Sequence, residues 1–162
     1  MFGPKIDQPH SNVRNCIIPH ELFYDVKNHL WLRDERDGTW TVGLTDMAQT
    51  AGGKVLHFKP WKIGVKRKGN KPIAMLEAAK WLGVIRVPFP VTIIDYNKEL
   101  LENTYSINQF PYTKGWIIRI KPDDNIDVRE YLLDGETAGK EYKKNFDEWG
   151  LTDCVHCLGF EV

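Results

Sequence analysis

The stretch "IAMLEAAKWLG", residues 73–83, begins as an apolar strand, stops at Glu77, presents one lysine between Ala79 and Trp81 and reads as turning at Gly83. Those types and that spacing suit covalent attachment of a group to the Lys80 amine. An enzyme that modifies an amine must take it into its own pocket, so the side chain has to protrude from a tight turn. The attached group must later reach other pockets, which demands the same protrusion. A stiff strand pair beneath would fix the root of the tether and hold its cargo at high effective concentration near a docked partner. An ordinary lysine amine, with pKa about 10.4, is mostly protonated and unreactive at neutral pH. The chemistry therefore needs an activated acyl donor and an enzyme that removes the proton. The plain alternative is a surface lysine at a hairpin tip with no chemical role.

Sulfur is the other candidate chemistry. Cys16 stands alone, whereas Cys154 and Cys157 form "CVHC" near the C-terminus. Three cysteines do not make a disulfide framework. Two readings of the close pair stay open: reduced, exposed thiols on a tail, or a redox pair, since this spacing permits a local disulfide and can lower one thiol's pKa. Zinc ranks last, because His156 is crowded between two sulfurs and no second pair follows at ligand spacing. No metal is expected. The basic run Lys62, Lys66, Arg67, Lys68 and Lys71 reads as a solvated loop, with a docking patch for an acidic partner as the alternative. Nucleic-acid binding would also want exposed aromatics beside it, and only Trp61 is near.

The elements that must position these groups fit one domain of 162 residues. Lysine plus arginine balances aspartate plus glutamate at 22 each, which argues against a nucleic-acid or anionic-membrane binder. The first twenty residues do not read as a signal peptide, and no apolar run approaches a membrane span, so a cytoplasmic protein is expected. Residues 1–20 read as an N-terminal arm that docks without building the core. Residues 21–122 read as short strands with turn punctuation: "WLRDER" and "TWTVGL" around Asp37-Gly38, "GKVLHFK", "IAMLE", "PVTIIDYN" and "GWIIRIK". "TDMAQTA" reads as a short helix capped by Thr45 or Asp46, and "KELLENT" as a helical turn. Residues 123–162 hold a C-terminal helix and the cysteine-bearing tail, packed on the same domain. Asp134 is the expected N-cap, and Ala138, Tyr142, Phe146 and Trp149 share one face directed at the sheet. The class is mainly β, a flattened barrel or sandwich with a lysine-bearing hairpin, short helices and a C-terminal helix.

These motifs, in their order, resemble the glycine cleavage system H protein family of lipoyl carriers. "NHLWLR" is similar to the family's His-Glu-Trp-Leu entry strand, with His29 and Trp31 matching. "TVGLTDMAQ" follows the family's Val-Gly-Ile-Thr-Asp-x-Ala-Gln, and "GKVLHF" its next strand. "LEAAK" resembles Glu-Ser-Val-Lys, whose lysine is lipoylated. "IIDYNKELLENTYSINQFPYTKGWIIRIKP" follows a long block ending in Pro-Tyr-Gly-x-Gly-Trp and a strand. The likeness spans about residues 22–149. It implies a lipoyl-type fold, lipoate attached to Lys80, and Glu77 as a handle for the lipoate ligase or lipoyl synthase system. It implies a non-catalytic carrier in a multi-enzyme system, with the chemistry residing in the cofactor.

Three departures qualify the resemblance. Val91 stands where the family has a turn glycine, so that turn must be built otherwise, by Pro88 or Pro90. Trp81 replaces a small residue beside the lysine. It would pack under the tether, meet a different partner or cap a sheet edge. The N-terminal arm and cysteine tail also sit poorly with a plain H protein. Lys-Trp before a small residue resembles the divergent lipoate-binding proteins of sulfur oxidisers, which work with a heterodisulfide-reductase-like complex. That branch implies an arm carrying a sulfur-bound intermediate. The alternative is an H protein carrying an aminomethyl group among the glycine cleavage enzymes. Readings of another class are an unlipoylated adaptor or a redox module built on Cys154 and Cys157.

Overall fold

A computed structural model describes residues 9–150 and Cys154. The chain enters through β1 (His10–Val13) and β2 (Cys16–Pro19), joined by Arg14 and Asn15, both left-handed at φ 48° and 71°. Asn15 N–H donates to Asn12 Oδ1 across that turn at 2.9 Å. A meander follows of β3 (Phe23–Asp25), β4 (Leu30–Asp34) and β5 (Trp40–Leu44). Next come α1 (Asp46–Gly52), β6 (Val55–Pro60), β7 (Lys66–Arg67), β8 (Ala74–Ala78), β9 (Trp81–Ile85) and β10 (Val91–Tyr96). A 3-10 turn (Lys98–Leu101), α2 (Ser106–Gln109), β11 (Ile118–Pro122), a second 3-10 turn (Val128–Tyr131), β12 (Leu133–Asp134) and α3 (Gly135–Trp149) complete it.

The strands form a seven-stranded sheet in the order β12-β3-β4-β5-β11-β10-β7 and a three-stranded sheet β6-β8-β9, besides the β1-β2 pair. Period-two alternation builds the interface: in β8, Ala74, Leu76 and Ala78 are buried while Met75 and Glu77 are exposed. A first core draws on both sheets, with Leu30, Leu32, Val42, Leu76, Ile85, Ile93 and Ile120 among its members. Each fully buried aliphatic there contributes roughly 1.5–3 kcal/mol. The result is a sandwich with no closed barrel, as the mainly β reading implied.

A second core lies on the other face of β4. Trp31 points there with Tyr24, Met47 and Tyr112, under Ala138, Tyr142 and Phe146 of α3. Asp134 caps α3, accepting from Thr137 N–H at 2.8 Å. The helix packs mainly on β1 and β2 and only secondarily on β3, not flat on the sheet. Trp149, expected on the buried stripe, is 38% exposed in the last turn before the Gly150 cap.

The N-terminal segment was expected to stay outside the core. Instead Val13, Cys16 and Ile18 are buried in the second cluster, because alternation in β1 and β2 turns them towards α3. Val91 occupies no turn: it opens β10, paired with Pro122 and Arg67 and 1% exposed. Gly83 is likewise no turn residue, since it pairs with Leu76 inside β9.

Candidate functional site

The hairpin turns three residues before Gly83. Ala78 pairs with Trp81, leaving Ala79 and Lys80 as a two-residue loop, neither with positive φ. Both loop amides are tied to the end of α1: Ala79 N–H donates to Lys54 O and Lys80 N–H to Gly52 O, each at 2.9 Å. The backbone root is fixed while the Lys80 side chain is exposed. Helix α1 is placed by its caps. Thr45 Oγ1 accepts from Ala48 N–H at 3.2 Å, and Gly53, at φ 74°, donates back to Gln49 O at 3.0 Å. Only glycine adopts that left-handed stop cheaply, and a Cβ there would also meet Ala79 Cβ at 3.4 Å. Buried Asn108 of α2 then staples the segment: its amide donates to Gly53 O at 2.8 Å, and its carbonyl accepts from Val55 N–H at 2.8 Å. Sequence reading missed Asn108, and no periodicity could have marked it.

Trp81 lies back over its own strand. A Cβ on Gly83 would sit 2.3 Å from its Cζ2, so glycine makes room for the indole. Trp81, Lys80, His29, Leu44, Ala48 and Ala51 line a pocket of about 170 Å³. His29 holds left-handed backbone at φ 59°, sits 4.8 Å from the Trp149 ring, and leaves its buried Nδ1 without a hydrogen-bond partner among the described residues. Burial pushes its imidazole below the usual pKa, with Asp25 opposing, so the ring facing the pocket is neutral at pH 7. Glu77 stands on the outer face of the three-stranded sheet, opposite Leu82 and 4.0 Å from His57 Nε2. Both partners of that pair are exposed, so it adds at most about 1 kcal/mol. A larger hollow of about 690 Å³ beside Arg33, Asp95 and Trp116 includes no hairpin residue.

The sulfurs are arranged otherwise than the sequence implied. Cys154 is bonded to Cys16, with Cα atoms 5.1 Å apart and a sequence separation of 138. Cys157, its expected partner, lies outside the described residues. Local spacing could not reveal the pairing, which depends on β2 docking onto α1. Ile17 N–H donates to the Asp46 carboxylate at 2.8 Å, and Cys154 N–H donates to Arg14 O at 2.7 Å. Thr50 Oγ1 of α1 is 3.1 Å from Cys154 Sγ and 3.9 Å from Cys16 Sγ. Cys16, Asp46 and Cys154 hold their donor atoms within 4.8 Å of one another, but joined sulfurs do not offer a thiolate pair to a metal.

Lys62, Lys66, Lys68 and Lys71 are exposed. The Arg67 guanidinium covers the Trp61 ring at 4.6 Å and donates to Pro72 O at 2.9 Å. The aromatic face that a nucleotide base would need is already taken.

Residues 22–145 match the family profile described as glycine cleavage H-protein. The chain is 38% identical to "Glycine cleavage system H protein 3" of Aquifex aeolicus over 148 residues, covering 90% of this chain and 91% of the relative. It is 38% identical to "Probable glycine cleavage system H protein 2" of Sulfurisphaera tokodaii, covering 79% and 87%. A solved glycine cleavage system H protein from Mycobacterium marinum shares the fold at a TM-score of 0.67 and 21% identity, over 77% of this chain and 98% of that one.

Proposed function

The chain belongs to the glycine cleavage H-protein family, whose members are lipoyl carriers and not catalysts, and on that premise we propose that Lys80 bears lipoate as an amide. The observation that supports the site is the exposed Lys80 side chain on a loop whose two amides are both held by α1's end. When bound, the group supplies a dithiolane that opens to two thiols, able to hold cargo or to exchange with partner sulfurs. This chain's own contribution is position. The Gly52 and Lys54 carbonyls keep the root still while the side chain swings. The pocket lined by Leu44, Ala48, Ala51 and Trp81 offers apolar walls on the scale of a dithiolane ring. Glu77 serves as the handle for a lipoate ligase or lipoyl synthase system, standing three residues before the lysine on the open face.

The arm carries a sulfur-bound intermediate to a heterodisulfide-reductase-like complex of sulfur oxidation, in the cytoplasm. Trp81 beside the lysine and the sulfur pair behind α1 support this branch. The printed names of the relatives favour the second reading, an aminomethyl carrier among glycine cleavage enzymes. Among the described residues no helix is long and apolar enough to cross a membrane.

Intact-mass measurement after incubation with lipoate, ATP and a lipoate ligase tests the site. One lipoyl increment on the wild type and none on Lys80→Ala is expected. No gain on the wild type, or an equal gain on the variant, overturns it. Adding glycine and a glycine decarboxylase to the loaded chain then separates the pathways, since an aminomethyl increment selects the second reading.

A further inference from the structure

We propose that the Cys16–Cys154 disulfide is the two-electron acceptor for the reduced arm on Lys80 of the same chain; the inference rests on the lipoyl reading of Lys80. Helix α1 brings the two together. Its last residue, Gly52, holds the Lys80 amide, while Thr50, two residues earlier, lies against both sulfurs. Those contacts stand on different sides of one helix about 10–12 Å across, and a lipoyl-lysine tether of about a dozen bonds of roughly 1.5 Å is long enough to pass around its end. Intramolecular tethering keeps the arm's thiols at high effective concentration beside the disulfide.

The burial fixes the order of exchange. Cys154 is half-buried and Cys16 wholly buried, so Cys154 Sγ receives the attacking thiolate and Cys16 Sγ leaves. Thr50 Oγ1, which accepts from Gln49 Nε2 at 3.2 Å, stands 3.1 Å from Cys154 Sγ and 3.9 Å from Cys16 Sγ, a polar neighbour for the exchanging sulfurs. The Cys16 sulfur that leaves takes up one of the two protons given up by the arm's thiols. Cys154 is then released as the second arm thiol closes the dithiolane. One disulfide breaks and one forms, and two electrons and two protons pass from the arm to Cys16 and Cys154.

The test uses the full chain with no substitution. Lipoylated and unlipoylated wild type are each treated with NADH and a lipoamide dehydrogenase, quenched with acid, and mapped by differential alkylation and peptide mass. The expected result is that Cys16 and Cys154 become alkylated in the lipoylated chain at least tenfold faster than in the unlipoylated one. A Cys16–Cys154 link that persists beside a reduced arm overturns the proposal, as do equal rates in the two preparations or a disulfide found between Cys154 and Cys157. Failure to load any lipoyl group on Lys80 overturns both this inference and the reading it rests on, and the intact mass reveals that before the reductant is added.

Discussion

The core between the sheets is mostly aliphatic, whereas the cluster beneath α3 is built from Tyr24, Trp31, Met47, Tyr112, Tyr142 and Phe146. The first is built mainly from apolar area and carries the lysine hairpin on β8 and β9, whose two tip amides bond to Lys54 O and Gly52 O. The second is pinned by specific polar contacts. Trp31 Nε1 donates to Pro111 O at 2.8 Å, and Tyr24 OH donates to Pro19 O at 2.6 Å. The Tyr112 hydroxyl donates to Ile17 O and accepts from Asp46 N–H. The difference teaches how one small domain divides its work. A non-directional core packs the hairpin's strands, and directed bonds are added where its tip meets the end of α1 and where β2 and the sulfur pair seat against the same helix. Burial raises the Tyr24 and Tyr112 hydroxyls well above the usual phenol pKa, so they remain donors across the working range.

Neighbours on β4 offer the sharpest contrast, because Trp31 enters the second core and Leu32 the first. Trp31→Ala should cost about 3–5 kcal/mol in urea unfolding, the largest single loss here, and Leu32→Ala about 2–5 kcal/mol. Only the tryptophan variant should also loosen β1 and β2, read as faster amide exchange there. Equal loosening in both variants would erase the distinction. Tyr112→Phe comes next, at about 1–3 kcal/mol, since it leaves Ile17 O and Asp46 N–H buried without their partner. A near-neutral Tyr112→Phe would mean that packing, not direction, seats β2.

That contrast also explains what could be read in advance. The aliphatic core was legible because alternation in "IAMLE" and "PVTIIDYN" is a local property, and the helix from Gly135 to Trp149 announced itself by spacing. Thr45 and Asp134 were readable as caps because capping is a contact over three residues. The lysine tip was legible as a motif, but its turn was misplaced at Gly83. A glycine there signals a turn in sequence, whereas in space it accommodates the Trp81 indole. The arm's burial, the Cys16–Cys154 link and the Asn108 staple join residues that are respectively far along the chain and without periodicity, so nothing local encoded them.

His29 probes the boundary between the two regions, since it lines the pocket beside Lys80 and packs on Trp149. Its folded pKa lies below the unfolded value of about 6.5 because burial disfavours the charged ring. The neutral form's stability is therefore fully present above that value and is lost as pH falls through the folded pKa. Thermal unfolding should show a falling Tm between pH 7 and pH 5. His29→Asn, which tolerates the left-handed backbone, should flatten that slope. An unchanged slope would move the titration elsewhere.

Leu82 gives the smallest effect on folding and for that reason the cleanest reading of the outer face. It is 70% exposed, opposite Glu77 and one position from Trp81 at the hairpin. Met75 and Val84 pair beside it, so an apolar strip flanks Glu77 on the face next to the lysine. An exposed side chain contributes little to the core, and Leu82→Ser should shift unfolding by less than about 0.5 kcal/mol. If that strip is where a modifying enzyme seats the hairpin, the same substitution should slow lipoyl loading of Lys80 severalfold while Tm stays put. Loading at the wild-type rate would confine recognition to Glu77 and the lysine tip, and a large drop in Tm would return Leu82 to the scaffold.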